Sequence, residues 1–68
     1  MEIFAERLKE LRKEKGITQE QLAKETGLTQ GALTRYENRL RSPAANAIIT
    51  LAKYFGVTTD YLLGVSDN

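Results

Sequence analysis

Four residues in the stretch TQGALTRYEN share one face of a predicted helix: Gln30, Gly31, Thr34 and Arg35. Three of them are polar side chains of intermediate length, whereas a solvated helical face is usually rich in Glu and Lys. Arginine can form two parallel hydrogen bonds with guanine O6 and N7, glutamine can do the same with adenine N6 and N7, and threonine offers a methyl group to thymine. Gly31 lets the helix approach a partner closely. The chemistry of this face therefore suits the base edges of DNA.

The same face has a simpler interpretation as a polar surface that keeps a helix soluble. Taken alone, the four residues favour that simpler interpretation, because the outer face of a surface helix is normally polar. The surrounding helices decide between the two, since a face that reads bases must be presented outward by a rigid scaffold.

Two short predicted helices, 19–26 and 30–37, are joined around Gly27 with almost no loop between them. Thr18 begins a capping box at the start of the first helix, and Thr29 is the predicted N-cap of the second. So short a turn needs a residue at positive φ, which Gly27 adopts without steric cost. The spacing predicts a tight helical pair.

Helical periodicity continues along the whole chain, and no alternation typical of a strand is longer than a few residues. The pattern predicts an all-α, compact five-helix domain over residues 1–68, with helices at about 3–15, 19–26, 30–37, 45–55 and 59–63. Its predicted core consists of aromatic residues and leucines at helical spacing: Phe4, Leu8, Leu11, Leu22, Leu33, Tyr36, Leu51, Phe55 and Leu62.

Catalysis and metal binding are not expected from this composition. The 68 residues include neither histidine nor cysteine, so the commonest general base, the commonest zinc ligands and the usual nucleophilic dyads are missing. No glycine-rich phosphate loop occurs either. We therefore expect no enzyme activity, no cofactor and no metal site.

Charge is distributed unevenly, although the formal net charge is only +1. Four glutamates recur every fourth residue in the first predicted helix and form an acidic stripe, which consists of Glu2, Glu6, Glu10 and Glu14. In contrast, three arginines fall within seven residues, opposed only by Glu37: Arg35, Arg39 and Arg41. One side of the molecule should repel phosphate and another should attract it.

The sequence ITQEQLAKETGLTQGALTRYENRLRSP resembles the helix-turn-helix of the phage-repressor family, the Cro and C1-type (XRE-like) DNA-binding regulators. The resemblance extends from about Phe4 to Gly64 and includes the closing motif LAKYFGVTTDYLLG. It implies a lambda-repressor-like domain of five helices, with 30–37 as the recognition helix in the DNA major groove.

The resemblance also implies roles for individual residues. Bases would be read chiefly by Gln30, Gly31, Thr34 and Arg35, whereas four other positions match those that meet phosphates in relatives: Gln19, Asn38, Arg39 and Arg41. Gln19 and Thr29 begin helices, where backbone N–H groups and the helix dipole favour a phosphate.

The resemblance further places Arg12 beside Glu37, so we expect a partly buried ion pair that makes Glu37 structural. Two positions depart from the family pattern. Relatives commonly have glycine where this chain has Arg39, so either Asn38 takes the left-handed conformation or Arg39 takes it at about 1 kcal/mol of strain. Ala44 replaces the Ser or Thr that often caps the fourth helix.

The predicted function is sequence-specific binding of double-stranded DNA, as a dimeric transcriptional repressor or regulator in the cytoplasm. One recognition helix contacts only a few base pairs, so we expect a homodimer on a two-fold symmetric operator whose half-sites lie ~34 Å apart. Val57, Tyr61 and Val65 are the candidate dimer contacts.

An alternative function is an antitoxin or other protein-interaction module that also binds its own promoter.

No secretory h-region and no apolar run of about 18 residues is present, so we expect no membrane segment. The polar end at Val65–Asn68 is compatible with a terminus, or with a linker to an additional C-terminal domain.

Overall fold

The computed structural model describes residues 2–67, which form five α-helices and no strand. The helices are α1 (Glu2–Lys15), α2 (Gln19–Thr26), α3 (Gln30–Glu37), α4 (Ala45–Phe55) and α5 (Thr59–Leu63). The predicted all-α fold is confirmed, and α1 begins one residue earlier than predicted. The predicted domain limits, Met1 and Asn68, lie outside the described residues.

Local capping sets most of the helix ends. Thr18 accepts a hydrogen bond from the Gln21 N–H, and the Gln21 side chain accepts one from the Thr18 N–H, which completes the predicted capping box. Thr29 caps α3 by accepting a hydrogen bond from the Ala32 N–H, without a reciprocal side-chain bond because Ala32 has no polar side chain. Gly27 ends α2 at φ 78°, the left-handed conformation that the short turn to α3 requires.

The core lies between all five helices. Its buried members are Phe4, Leu8, Leu22, Leu33, Tyr36, Ala47, Leu51, Ala52 and Leu62. Leu11 and Phe55, which the periodicity assigns to the core, are only partly buried and pack against it. Two alanines of α4 take part instead, which brings that helix close to its neighbours.

The segment between α3 and α4 contains both departures from the family pattern. Asn38 has φ −94°, and Arg39 has φ 62°, so Arg39 takes the left-handed conformation with its strain of about 1 kcal/mol. Ala44 has the extended backbone of an N-cap but makes no capping hydrogen bond through its side chain.

The longest helix of the described chain has 14 residues. Within residues 2–67, no helix is both long enough and apolar enough to span a membrane.

Candidate nucleic-acid interface

Helix α3 has one buried and one exposed face. Leu33, Tyr36 and Glu37 are buried. Phe4 of α1 meets the Tyr36 ring edge to face, with 5.7 Å between ring centroids, which fixes the helix in the domain. The opposite face therefore has to point outward.

The exposed face of α3 contains the residues predicted to read bases. Gln30, Gly31 and Arg35 are exposed, and Thr34 is partly buried. The Arg35 guanidinium lies over the preceding turn of the helix. A Cβ built on Gly31 would be 3.7 Å from Arg35 Nη1. A Cβ at this position would make only ordinary van der Waals contact with the guanidinium, so the position of Arg35 does not require glycine at residue 31.

The predicted ion pair between Arg12 and Glu37 is present and is bidentate. Arg12 Nε donates to Glu37 Oε2 at 2.7 Å and Nη2 donates to Oε1 at 3.0 Å. The side chains are 14% and 1% exposed, respectively. A third donor, Arg12 Nη1, reaches the Ile17 carbonyl at 2.9 Å. The hydrogen bond to Glu37 raises the pKa of Arg12 above its ordinary value.

Gln19 extends this ion pair to the surface. Its Nε2 donates to Glu37 Oε1 at 3.2 Å, and its Oε1 accepts a hydrogen bond of 2.7 Å from the Thr34 hydroxyl. Gln19, a predicted phosphate contact, and Thr34, a predicted base contact, are thereby connected by hydrogen bonds to the buried carboxylate of Glu37. This connection was not predicted, because Gln19 begins α2 whereas Thr34 and Glu37 lie in the second half of α3, and the sequence shows only that all three side chains are polar.

The basic loop after α3 is accessible. Asn38, Arg39 and Arg41 are all exposed. Arg39 Nη2 lies 3.4 Å from Glu6 Oε1, so the basic loop adjoins the acidic stripe of α1. The positions that attract and repel phosphate are therefore neighbours on the surface.

Other kinds of site find no counterpart in the described chain. Among residues 2–67, no three His, Cys, Asp or Glu side chains are grouped so that they could hold a metal ion.

Thr29, which was also predicted to contact DNA, is exposed, and its hydroxyl oxygen already accepts the Ala32 N–H as the cap of α3.

A family model described as helix-turn-helix matches residues 8–62. The chain belongs to this helix-turn-helix family. The resemblance drawn from the sequence is confirmed, and the matched region contains α2, the Gly27 turn and α3.

This helix-turn-helix chain is similar to several named regulators. It is 33% identical over 66 residues to the uncharacterized HTH-type transcriptional regulator YobD of Bacillus subtilis, covering 97% of this chain and 59% of YobD. It is 37% identical over 61 residues to the HTH-type transcriptional regulator ImmR of the same organism, covering 90% of this chain and 48% of ImmR. The HTH-type transcriptional activator BcrR of Enterococcus faecalis is 37% identical over 60 residues, covering 88% of this chain and 29% of BcrR. The chain thus spans about half the length of the first two relatives.

Proposed function

We propose that this helix-turn-helix domain binds double-stranded DNA sequence-specifically and regulates transcription as a dimeric repressor. The observation that carries the proposal is the outer face of α3. Gln30, Gly31, Thr34 and Arg35 lie on that face of a helix whose other face is fixed in the core. A polar face held so rigidly can be placed in the major groove without further ordering of the backbone.

Within this proposal, α3 reads bases and its surroundings meet phosphates. Arg35 selects guanine and Gln30 selects adenine. Five residues hold the DNA backbone at the edges of the groove: Gln19, Thr29, Asn38, Arg39 and Arg41. The similar proteins are named as transcriptional regulators, and one as an activator. Repression by occupation of an operator, in the cytoplasm, is therefore our own proposal and does not follow from their names.

The size of the domain supports dimerisation. Its longest dimension is 28 Å, whereas successive major-groove faces lie ~34 Å apart. Reading two half-sites therefore takes two copies. Val65 is 73% exposed and Ile3 is 45% exposed, and Ile3 lies against Gly64, where an added Cβ would approach Ile3 Cγ2 to 2.8 Å. We place the dimer contact at this α1–α5 edge.

Val57 and Tyr61, the other sequence-predicted dimer contacts, are partly buried. The Tyr61 ring is covered by the Arg7 guanidinium, 4.2 Å from the ring centroid. These two residues therefore support the exposed edge and contribute less contact area than Val65.

The test is selection of bound duplexes from a random DNA pool, followed by titration of the selected duplex against the wild type and Arg35→Ala at several salt concentrations. We expect a two-fold symmetric site, and a loss of about 1–3 kcal/mol for Arg35→Ala with relaxed preference at one base pair per half-site. Glu10→Ala, on the acidic stripe of α1, is the control. Failure to enrich any sequence, with weak binding that depends only on salt, would overturn the proposal and favour a protein partner.

A further inference from the structure

The hydrogen bonds that join Glu37, Gln19 and Thr34 have a fixed direction. A carboxylate has acceptors only, so Glu37 requires donors from both of its partners, Arg12 and Gln19. Gln19 must therefore turn its amide nitrogen inward. The reversed amide would set its oxygen against the carboxylate, 3.2 Å away.

This orientation determines what Thr34 can offer. With the amide nitrogen on Glu37, the amide oxygen of Gln19 faces Thr34, and the Thr34 hydroxyl must donate to it at 2.7 Å. A hydroxyl has one hydrogen and two lone pairs. Its hydrogen is committed to Gln19, so the lone pairs and the methyl group are what remain for a ligand.

We propose that Glu37, acting through Gln19, makes Thr34 a hydrogen-bond acceptor on the base-reading face, an inference that rests on the proposed function. Thr34 then favours a base that presents a donor or a methyl group: adenine N6, cytosine N4 or the thymine methyl. It disfavours guanine, whose major-groove edge carries acceptors only. Gln19 and Glu37 are positioning residues that set this preference without touching the base.

The experiment uses selection from random DNA with variants of the full chain. Thr34→Ala identifies the base pair that Thr34 reads, as the position where preference is lost. Gln19→Ala lies at the partly buried start of α2 and leaves the Arg12–Glu37 pair intact, so the variant should fold, which circular dichroism checks. It frees the Thr34 hydroxyl to donate. We expect guanine to gain roughly 2- to 10-fold relative to the selected base at that position.

Two controls separate this effect from a general loss of binding. Glu20→Ala, an exposed neighbour on the same turn of α2, should leave the profile unchanged. In a Thr34→Val background, where no hydroxyl remains to be released, Gln19→Ala should no longer alter the preference at that position.

The possible failures are distinguishable. If Gln19→Ala weakens every sequence equally, Gln19 is a phosphate contact only and the inference is overturned. If Thr34→Ala changes no preference, Thr34 reads no base and the inference is also overturned, while a selected wild-type site still supports the proposed function. If the wild type selects no site, both the proposed function and this inference are overturned.

Discussion

At the scale of single residues, Glu37 is the most heavily bonded side chain of the site. Its carboxylate accepts hydrogen bonds from Arg12 Nε, Arg12 Nη2 and Gln19 Nε2. It also lies on α3, the proposed recognition helix, although its own side chain is buried. A residue on a recognition helix can thus be essential to the fold and only indirectly connected to reading.

Glu37→Ala should lower the free energy of unfolding by about 3–5 kcal/mol, because the Arg12 charge would be left uncompensated in a largely buried position. Urea denaturation measures this loss. Glu14→Ala removes an exposed glutamate of the acidic stripe and should change the same quantity by no more than about 0.5 kcal/mol. Equal effects of the two substitutions would mean that the ion pair has no structural role.

Tyr54 gives the domain a dependence on alkaline pH. Its hydroxyl donates to Glu25 Oε1 at 2.6 Å, and this hydrogen bond raises the pKa of Tyr54 from 10.0 to about 12. A raised pKa means that the folded state favours the neutral phenol. The stabilisation is complete below pH 10 and is lost as the pH rises through about 12.

We therefore expect the difference in melting temperature between the wild type and Tyr54→Phe to be constant below pH 10 and to shrink between pH 10 and about 12. Thermal denaturation across this range measures it, and comparison with Tyr54→Phe cancels the titration of other groups. Glu25→Gln should lower the pKa of Tyr54 toward its ordinary value. A difference that stays constant up to pH 12 would contradict the assignment.

At the scale of helices, the helix ends could be predicted from the sequence wherever the capping residue lies within a few residues of the end. Thr18 and Thr29 cap α2 and α3 as predicted, and Thr58 caps α5 by accepting a hydrogen bond from the Tyr61 N–H. The choice between Asn38 and Arg39 for the left-handed position stayed open, because it depends on how the loop between α3 and α4 packs. That Gln19 meets both Thr34 and Glu37 could not be foreseen, since the contacts depend on side-chain directions across 15 and 18 residues.

Helix α4 should gain stability from the cap that it lacks. Ala44 has φ −74° and ψ 155°, close to the values at Thr18, Thr29 and Thr58, whose hydroxyls do cap. We expect Ala44→Thr to raise the free energy of unfolding by about 1 kcal/mol in urea denaturation. Ala44→Val has a similar shape without the hydroxyl and should give no such gain. If the two variants are equally stable, capping does not limit α4.

At the scale of the whole molecule, α1 connects the proposed functional surfaces. Arg12 reaches α3, Glu6 reaches Arg39, and Arg7 holds the end of the described chain through the carbonyls of Tyr61 and Ser66. These contacts join residues 25 to 59 positions apart. They explain why the surfaces could be recognised from the sequence only as separate patches.

Dimerisation belongs to this scale. We expect Val65→Glu to raise the dimer dissociation constant at least tenfold, because each fully buried valine contributes about 1.5–3 kcal/mol and a two-fold interface contains two. Sedimentation equilibrium without DNA measures this. Ile49→Gln, which alters an exposed residue of α4, is the matched control. A dimer unaffected by Val65→Glu must use another face.

The contact between Glu6 and Arg39 has a consequence for the ion atmosphere of the proposed complex. Each phosphate neutralised by a free cation releases counterions and adds ~0.9 to the salt-dependence slope of binding. Arg39 already has Glu6 beside it, so its transfer to a phosphate releases counterions from the DNA but leaves the exposed Glu6 carboxylate to attract a cation, and the net release is less than a full increment. Arg41 has no ion-pair partner among residues 2–67. Its contact with a phosphate therefore adds the full increment to the salt-dependence slope. The two neighbouring arginines, identical in charge, thus contribute unequally to how steeply binding falls as salt rises.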